Sequence, residues 1–250
     1  MDAEVAANRV AWEKASQKHV DEYDELLAEA AERKSLTQRE LELLQPVLAG
    51  APLVVHLQSG HGLDDFALLD RGARHVVGVD YSVTAATAAH RRARQLEVGT
   101  AYVVAEVPVV PLKEGCAGLV YTGKGALIWM RDLEAWAHEV ARLLEPEGRL
   151  FVYEAHPTVP LWSWDEDEPR IRPDRGYFAR SHINDSFPAN GAQEWQWSLG
   201  EIVTAVVRAG LEIETLEEYA EPFWRPGGVQ AAAWQGRLPN SFALLARRKS

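Results

Sequence analysis

From residue 51 onward, short apolar runs alternate with amphipathic stretches. The runs are LVVHL at 53–57, HVVGV at 75–79, AYVVA at 101–105, GLVYT at 118–122 and RLFVYE at 149–154. Helical patterns near 63–71, 83–96 and 132–144 separate them. Strands buried on both faces read as continuous apolar runs, and helices between them imply parallel pairing through right-handed crossovers. The pattern predicts an α/β fold built on a doubly wound sheet. Upstream, Val5, Val10, Trp12, Tyr23, Leu26 and Leu27 are set among charges, which predicts a helix over 2–31. A second helix is expected at 36–49, capped by Ser35 or Thr37 and stopped by Gly50 and Pro52.

The rhythm breaks after residue 155. Residues 157–197 hold five prolines, many charges and four tryptophans. An aperiodic stretch this long reads as a lid or binding loop. A helix restarts at Ser198, where Glu201 completes a capping box, and Gly210 ends it. LEIETLEEY and SFALLARR read as two closing strands. The chain therefore divides into one domain, 1–250, with a helical cover at 1–50, a ligand-binding half at 51–156, a lid insertion at 157–197 and a C-terminal helix with strands at 198–250.

Composition narrows the partners. The 250 residues are 47% hydrophobic and 25% charged, ordinary for a globular chain. The formal net charge of −11, with no basic run longer than RRAR at 91–94, disfavours a nucleic-acid backbone and favours a small molecule. No stretch approaches the ~18 consecutive apolar residues of a membrane span, and the polar, acidic first residues do not read as a signal peptide. A cytoplasmic location is the expectation, with a monomer or a homodimer both open. Cys116 alone excludes an internal disulfide and any multi-cysteine metal site, so no metal is expected.

Ligands of open α/β sheets bind beyond the carboxyl ends of the strands. The first strand ends in His56-Leu57-Gln58-Ser59-Gly60-His61-Gly62, and its glycines let backbone approach a ligand closely. The second ends at Asp80-Tyr81, where a carboxylate can accept hydrogen bonds from both hydroxyls of a ribose. The third ends at Glu106-Val107, suited to an adenine amino group and ring. Three such strand ends in order make a constellation.

Here the sequence resembles the class I methyltransferases, whose first motif commonly reads acid-x-Gly-x-Gly-x-Gly. The pattern HLQSGHGLDDFALLDRGA, with VGVDYS, GALIWMRDLEAWAHEVARLLEPEGRLFVYEAHP and EWQWSLGEI, looks like a bacterial subgroup with a His-Leu-Gln opening. The resemblance implies a Rossmann-like seven-stranded sheet with an antiparallel last strand. It implies S-adenosylmethionine as cofactor, with S-adenosylhomocysteine as product, held by His56, Gln58, Ser59, Gly60, Gly62, Asp80, Tyr81, Glu106, Val107 and Thr122. His56 stands where the family has an acid: it can hydrogen-bond but adds no negative charge opposite the cofactor's ammonium. Gln58 stands where the family has its first glycine. Asp65 occupies the third-glycine position of the dinucleotide fingerprint, where its charge would repel a pyrophosphate, so a nicotinamide enzyme is disfavoured.

On the acceptor side, Lys124 lies in the loop after the fourth strand and Glu154-Ala155-His156 end the fifth, both expected to face the transferred methyl. His156 is the leading general-base candidate because imidazole titrates near neutral pH, with Glu154 orienting it and His182 as a second candidate. Trp12 and Tyr23 from the cover, with Trp129, Trp162, Trp164 and Trp224, are expected to line an acceptor pocket. The function expected is methyl transfer to an O or N atom of a small, biosynthetic metabolite. The alternatives are a catalytically silent binder of the same cofactor and a protein methyltransferase.

Overall fold

The structure, a computed structural model, describes residues 3–162, 170–188, 191–222 and 237–250. The chain opens with α1 (Ala3–Ala15), α2 (Lys18–Asp21), α3 (Tyr23–Glu32) and α4 (Gln38–Leu48). The alternating part follows as β1 (Leu53–Leu57), α5 (Leu63–Asp70), β2 (His75–Asp80), α6 (Val83–Gln95), β3 (Thr100–Val104), β4 (Ala117–Gly123), α7 (Leu133–Leu143) and β5 (Leu144–Ala155). A small hairpin, β6 (Ser181–Ile183) and β7 (Gln193–Trp195), precedes α8 (Leu199–Arg208), β8 (Leu211–Tyr219) and β9 (Ser241–Arg248).

Seven strands form one sheet in the order β3-β2-β1-β4-β5-β9-β8. The pairs from β3 to β5 are parallel, while β9 runs antiparallel to both β5 and β8. The expected doubly wound Rossmann-like sheet with its antiparallel last strand is therefore present. The order reverses between β1 and β4, so their carboxyl ends leave a crevice there. Both faces are covered by apolar clusters, one built around Val55, Val120, Trp136, Val152 and Leu244, the other around Leu44, Val54, Leu68, Tyr121 and Phe151.

Two expectations are revised. The single helix over 2–31 is three segments, because burying Ala11, Ser16, Tyr23 and Ala30 requires the chain to bend around the sheet end. The stretch 157–197 is not wholly aperiodic, since it carries the β6–β7 hairpin. Asn8 of α1 fastens to that hairpin in both directions: its Nδ2 donates to the Gln193 carbonyl at 2.8 Å and its Oδ1 accepts from Gln193 N at 2.8 Å. Among the described residues no helix is long and apolar enough to cross a membrane.

The strand-end loops impose tight backbone approaches. A Cβ on Gly78, in the middle of β2, would lie 2.7 Å from Ser59 Oγ and 2.7 Å from the Tyr102 ring. Ser59 belongs to the first strand-end loop and Tyr102 to β3, so neither side is open to relaxation. Gly78→Ala is expected to lower stability by about 1–3 kcal/mol, as overpacked positions do, in a denaturant titration. An unchanged midpoint would show that the Ser59 loop yields.

Candidate active site

The carboxyl ends of β1, β2 and β4 open onto a cavity of about 380 Å³, an ordinary size for a small-molecule site. A second cavity of about 170 Å³ lies beside it and is lined by Ala105, Glu106, Val107 and Met130. Gln58, Asp80, Tyr81 and Trp129 line both. An elongated ligand lying across Asp80 thus has one end in each. The Asp80 carboxylate is itself fixed, with Oδ2 accepting from Gly60 N at 2.9 Å and Oδ1 from Ser82 N at 2.8 Å. Burial raises its pKa, against these two backbone donors, which favour the charged form.

The loop after β1 keeps its shape with unusual residues. Gln58, Gly60 and Gly62 have φ of +56°, +52° and +77°. Gln58 therefore adopts the left-handed backbone a glycine adopts without strain. Its amide offsets that cost by donating to the Ala126 carbonyl at 2.8 Å, tying the loop after β1 to the loop after β4. Beneath the loop, His56 Nδ1 lies 2.6 Å from Asp65 Oδ1, both side chains buried. The carboxylate absent from the strand end has its counterpart in the first turn of α5. This corrects one expectation: Asp65 is fully buried against His56 and does not face a ligand, while its neighbour Asp64 lines the cavity.

Asp64 belongs to a compact charged group. The Lys124 ammonium meets Asp64 Oδ1 at 2.8 Å, the Ser35 carbonyl at 2.9 Å and Glu40 Oε2 at 3.3 Å. Tyr121 Oη donates to Glu40 Oε1 at 2.5 Å and lies 3.2 Å from Asp64 Oδ2. Burial works against the Lys124 charge, yet Asp64 and Glu40 hold its pKa above the ordinary value. Burial likewise opposes ionisation of Asp64, but Lys124 and His56 outweigh it and keep the carboxyl low. At Glu40 burial wins and raises the pKa. Lys124 lines the cavity, with its three donors already directed at protein acceptors.

The expected catalytic side chains lie elsewhere. Glu154 is buried and accepts from Gly125 N at 2.7 Å, Ala126 N at 2.6 Å and Leu127 N at 2.8 Å, which clamps the loop after β4. His156 does not line the 380 Å³ cavity; it borders a separate space of about 30 Å³. There its Nδ1 bonds Thr158 Oγ1 at 2.8 Å and its Nε2 lies 2.8 Å from Glu218 Oε1. Burial lowers its pKa, with Glu218 opposing. The reason is directional: past Ala155 the strand ladder ends and the backbone turns toward β8 and β9. His182, on β6, pairs with Glu194 at 2.6 Å across the hairpin.

The remaining expected residues divide. Trp12 and Trp129 line the main cavity together with Phe187, and the Trp12 ring meets both partners edge-on, at 5.4 Å and 5.3 Å between centroids. Ser59 lines it too. Gly62 packs below it, where a Cβ would come 2.6 Å from Tyr102 Oη. Thr122 is buried between strands, its Oγ1 3.4 Å from the Leu57 carbonyl. Tyr23 packs on α6, donating to Gln95 Oε1 at 3.1 Å under the Arg91 guanidinium. Trp162 bridges to Ile171 away from both cavities. Trp164 and Trp224 lie outside the described residues.

Sequence reasoning missed His19, His61 and Arg92. The rings of His19, on α2, and His61, between the loop glycines, are 4.4 Å apart and both line the cavity. Behind them the fully buried Arg92 donates to the His61 carbonyl at 2.7 Å and to the His19 carbonyl at 3.4 Å, which joins the cover to the glycine loop. The hint in the sequence was an arginine next to Ala93 and one helical turn after Ala88 and Ala89.

With this geometry in place, the fold is that of solved methyltransferases. Residues 55–152, from β1 into β5, match a family described as a methyltransferase domain. An S-adenosylmethionine-dependent methyltransferase from Mesorhizobium loti superposes with a TM-score of 0.67 at 23% identity, over 84% of this chain and 97% of that one. Geranyl diphosphate C-methyltransferase from Streptomyces coelicolor A3(2), in complex with Mg²⁺, geranyl diphosphate and S-adenosylhomocysteine, gives 0.60 at 18%, over 84% and 80%. The [4+2]-cyclase SpnF gives 0.57 at 15%, over 85% and 82%. A comparison with curated proteins found no match.

Burial, with Arg92 adding to it, lowers the pKa of His19 to about 4 and that of His61, where His19 also contributes, to about 3. A histidine with a lowered folded-state pKa contributes stability above its ordinary value of 6.5, lost as pH falls toward the folded value. Thermal unfolding measured from pH 7 to 4 is therefore expected to show a falling midpoint. The His61→Gln variant should fall less steeply. Parallel slopes would remove these rings from the acid response.

Proposed function

We propose that this chain transfers a methyl group from S-adenosylmethionine to an O or N atom of a small molecule. The observation that carries this reading is the placement of Asp80, a fixed carboxylate where two cavities meet, with Glu106 and Val107 in one and the glycine loop in the other. Asp80 would hold the ribose hydroxyls. Glu106 and Val107 would take the adenine, with Tyr81 and Trp129 between the cavities. Gly60, His56 and the Asp64–Lys124 pair would receive the amino acid end. When bound, the cofactor supplies an electrophilic methyl on a sulfonium.

The residues fit such a group. A Cβ built on Gly60 or on Gly125 meets nothing within 4 Å, so both glycines border open space. Gln58 Oε1, Ser59 Oγ and His61 Nδ1 are buried beside the cavity with no hydrogen-bond partner among the described residues, and a polar ligand would satisfy such atoms. Trp12, Trp129 and Phe187 supply an apolar wall for an acceptor. The cover and the β6–β7 hairpin are joined through Asn8 and Gln193, and the pair would help to exclude water from the reacting atoms. The net charge of −11 supports a small-molecule acceptor over a nucleic acid.

Calorimetry on the purified protein tests the reading. Binding of S-adenosylmethionine and S-adenosylhomocysteine is expected, weakened about 10–100-fold in Asp80→Ala, from roughly 1.5–3 kcal/mol per hydrogen bond to a charged group. Undiminished binding in that variant would displace the ribose from Asp80. Binding without methyl transfer to any acceptor would instead favour a non-transferring protein on the same fold.

A further inference from the structure

The acceptor cavity has a definite electrical character. Its one lysine, Lys124, directs its three N–H donors at Asp64, Glu40 and the Ser35 carbonyl. Arg92 lies behind the wall with its guanidinium on two carbonyl oxygens. Burial keeps His19 and His61 uncharged at neutral pH. Among the described residues, then, no unpaired cation lines this cavity. The negative side is better represented, with Glu29, Asp80 and the paired Asp64 all lining the cavity. The Trp12, Trp129 and Phe187 rings add the quadrupoles that attract cations. A phosphate or carboxylate acceptor finds no further cation among the described residues, since Lys124 is paired with Asp64 and Glu40 and, in the reading above, lies at the amino acid end of the cofactor; nor do those residues include a group of three or more His, Cys, Asp or Glu placed to hold a metal ion.

The second feature is that, among the described residues, no strong base is positioned at the cavity: His19 and His61 line it, but burial lowers their pKa to about 4 and about 3, which makes them weak proton acceptors. Glu154 is occupied by three backbone donors, His156 borders another space, and His182 pairs with Glu194 on the hairpin. His56 does line the cavity, but it sits beneath the glycine loop with Nδ1 on Asp65, beside the Asp64–Lys124 pair assigned above to the amino acid end of the cofactor. A hydroxyl acceptor must lose its proton as it attacks. A neutral amine need not.

We propose that the acceptor is an uncharged-form amine on a small aromatic or apolar body, and that phosphorylated and carboxylated acceptors are excluded. This rests on the methyl-transfer reading. The amine lone pair forms the N–C bond while the C–S bond breaks, its electron pair going to sulfur, which becomes a thioether. The positive charge passes from sulfur to nitrogen and stays within the aromatic and acidic walls. The added proton count is settled afterwards, when the product ammonium gives a proton to water.

The test uses one ring skeleton of indole size bearing an alkylamine, a hydroxyl, a carboxylate or a phosphate. Calorimetry against protein saturated with S-adenosylhomocysteine is expected to detect the amine and neither anion. With S-adenosylmethionine, the amine should be methylated with kcat/KM at least about 10-fold above the hydroxyl compound. The pH midpoint of kcat/KM should follow the amine's own pKa when ring or chain substituents shift it. Trp12→Leu should weaken amine binding. Preferred turnover of the phosphate, carboxylate or hydroxyl compound overturns the inference while leaving methyl transfer intact. So does a midpoint that stays fixed across amines and disappears in His56→Gln, since that would place a base in the protein. Transfer to none of the four compounds by protein that binds the cofactor overturns this inference, whereas failure to bind S-adenosylmethionine or S-adenosylhomocysteine overturns the methyl-transfer reading on which it rests.

Discussion

The Lys124 ammonium, held among Asp64, Glu40 and the Ser35 carbonyl, is the contact on which the site's architecture turns. Removing a cation from water is costly, and attraction repays the cost only when every donor is met in good geometry. Here three elements converge to meet it: α4 with the loop before it, the first turn of α5, and the end of β4. The helical cover is thereby fastened to the sheet at the crevice where the strand order reverses. Glu154 completes the arrangement from the other side, its carboxylate gathering the next three amides of the same loop. Burial raises the Glu154 pKa while those amides pull it back, a balance that fits a carboxylate employed as a clamp.

The glycine loop shows how one backbone shape is reached with different side chains. Where a glycine would turn freely, Gln58 accepts a φ of +56° and recovers part of the cost through its bond to Ala126. Where the strand end lacks an acid, Asp65 approaches from the helix and orients His56 instead. Negative charge is thus kept at the strand end but drawn inward, and Asp64 with Lys124 becomes the pair presented to the cavity. Neither substitution disturbs Asp80, whose bond to Gly60 N ties this loop to the end of β2.

What the sequence made legible follows from periodicity. The apolar runs at 53–57, 75–79 and 149–154 could only be strands buried on both faces, and their order with intervening helices gave the sheet, its reversal point and the strand ends carrying Asp80 and Glu106. Periodicity stops at the last paired residue. His156 lies just beyond that limit, so its position in the sequence carried no information on which space it would face. Tyr23 and Trp162 are aromatic residues near the right elements that serve packing. Arg92, His19 and His61 meet across 31 to 73 positions of chain, and such a contact has no local signature. The break of the first helix into three follows from wrapping, which depends on the shape of the sheet end.

The direction of charge movement connects the network to chemistry. When a neutral amine attacks a sulfonium, the site holds one positive charge before, during and after transfer, displaced along the reacting line. A cavity of fixed carboxylates and aromatic faces interacts with that charge throughout, and its preorganised field need not reorganise. When an anion attacks, opposite charges cancel in the transition state, and the same walls first oppose entry of the nucleophile and then lose their attraction for the sulfonium. Binding that weakens toward the transition state slows a reaction. The interior pairing of Lys124 therefore has two consequences that cannot be separated: it holds the cover to the sheet, and it leaves the cavity without the cation that an anionic acceptor would require.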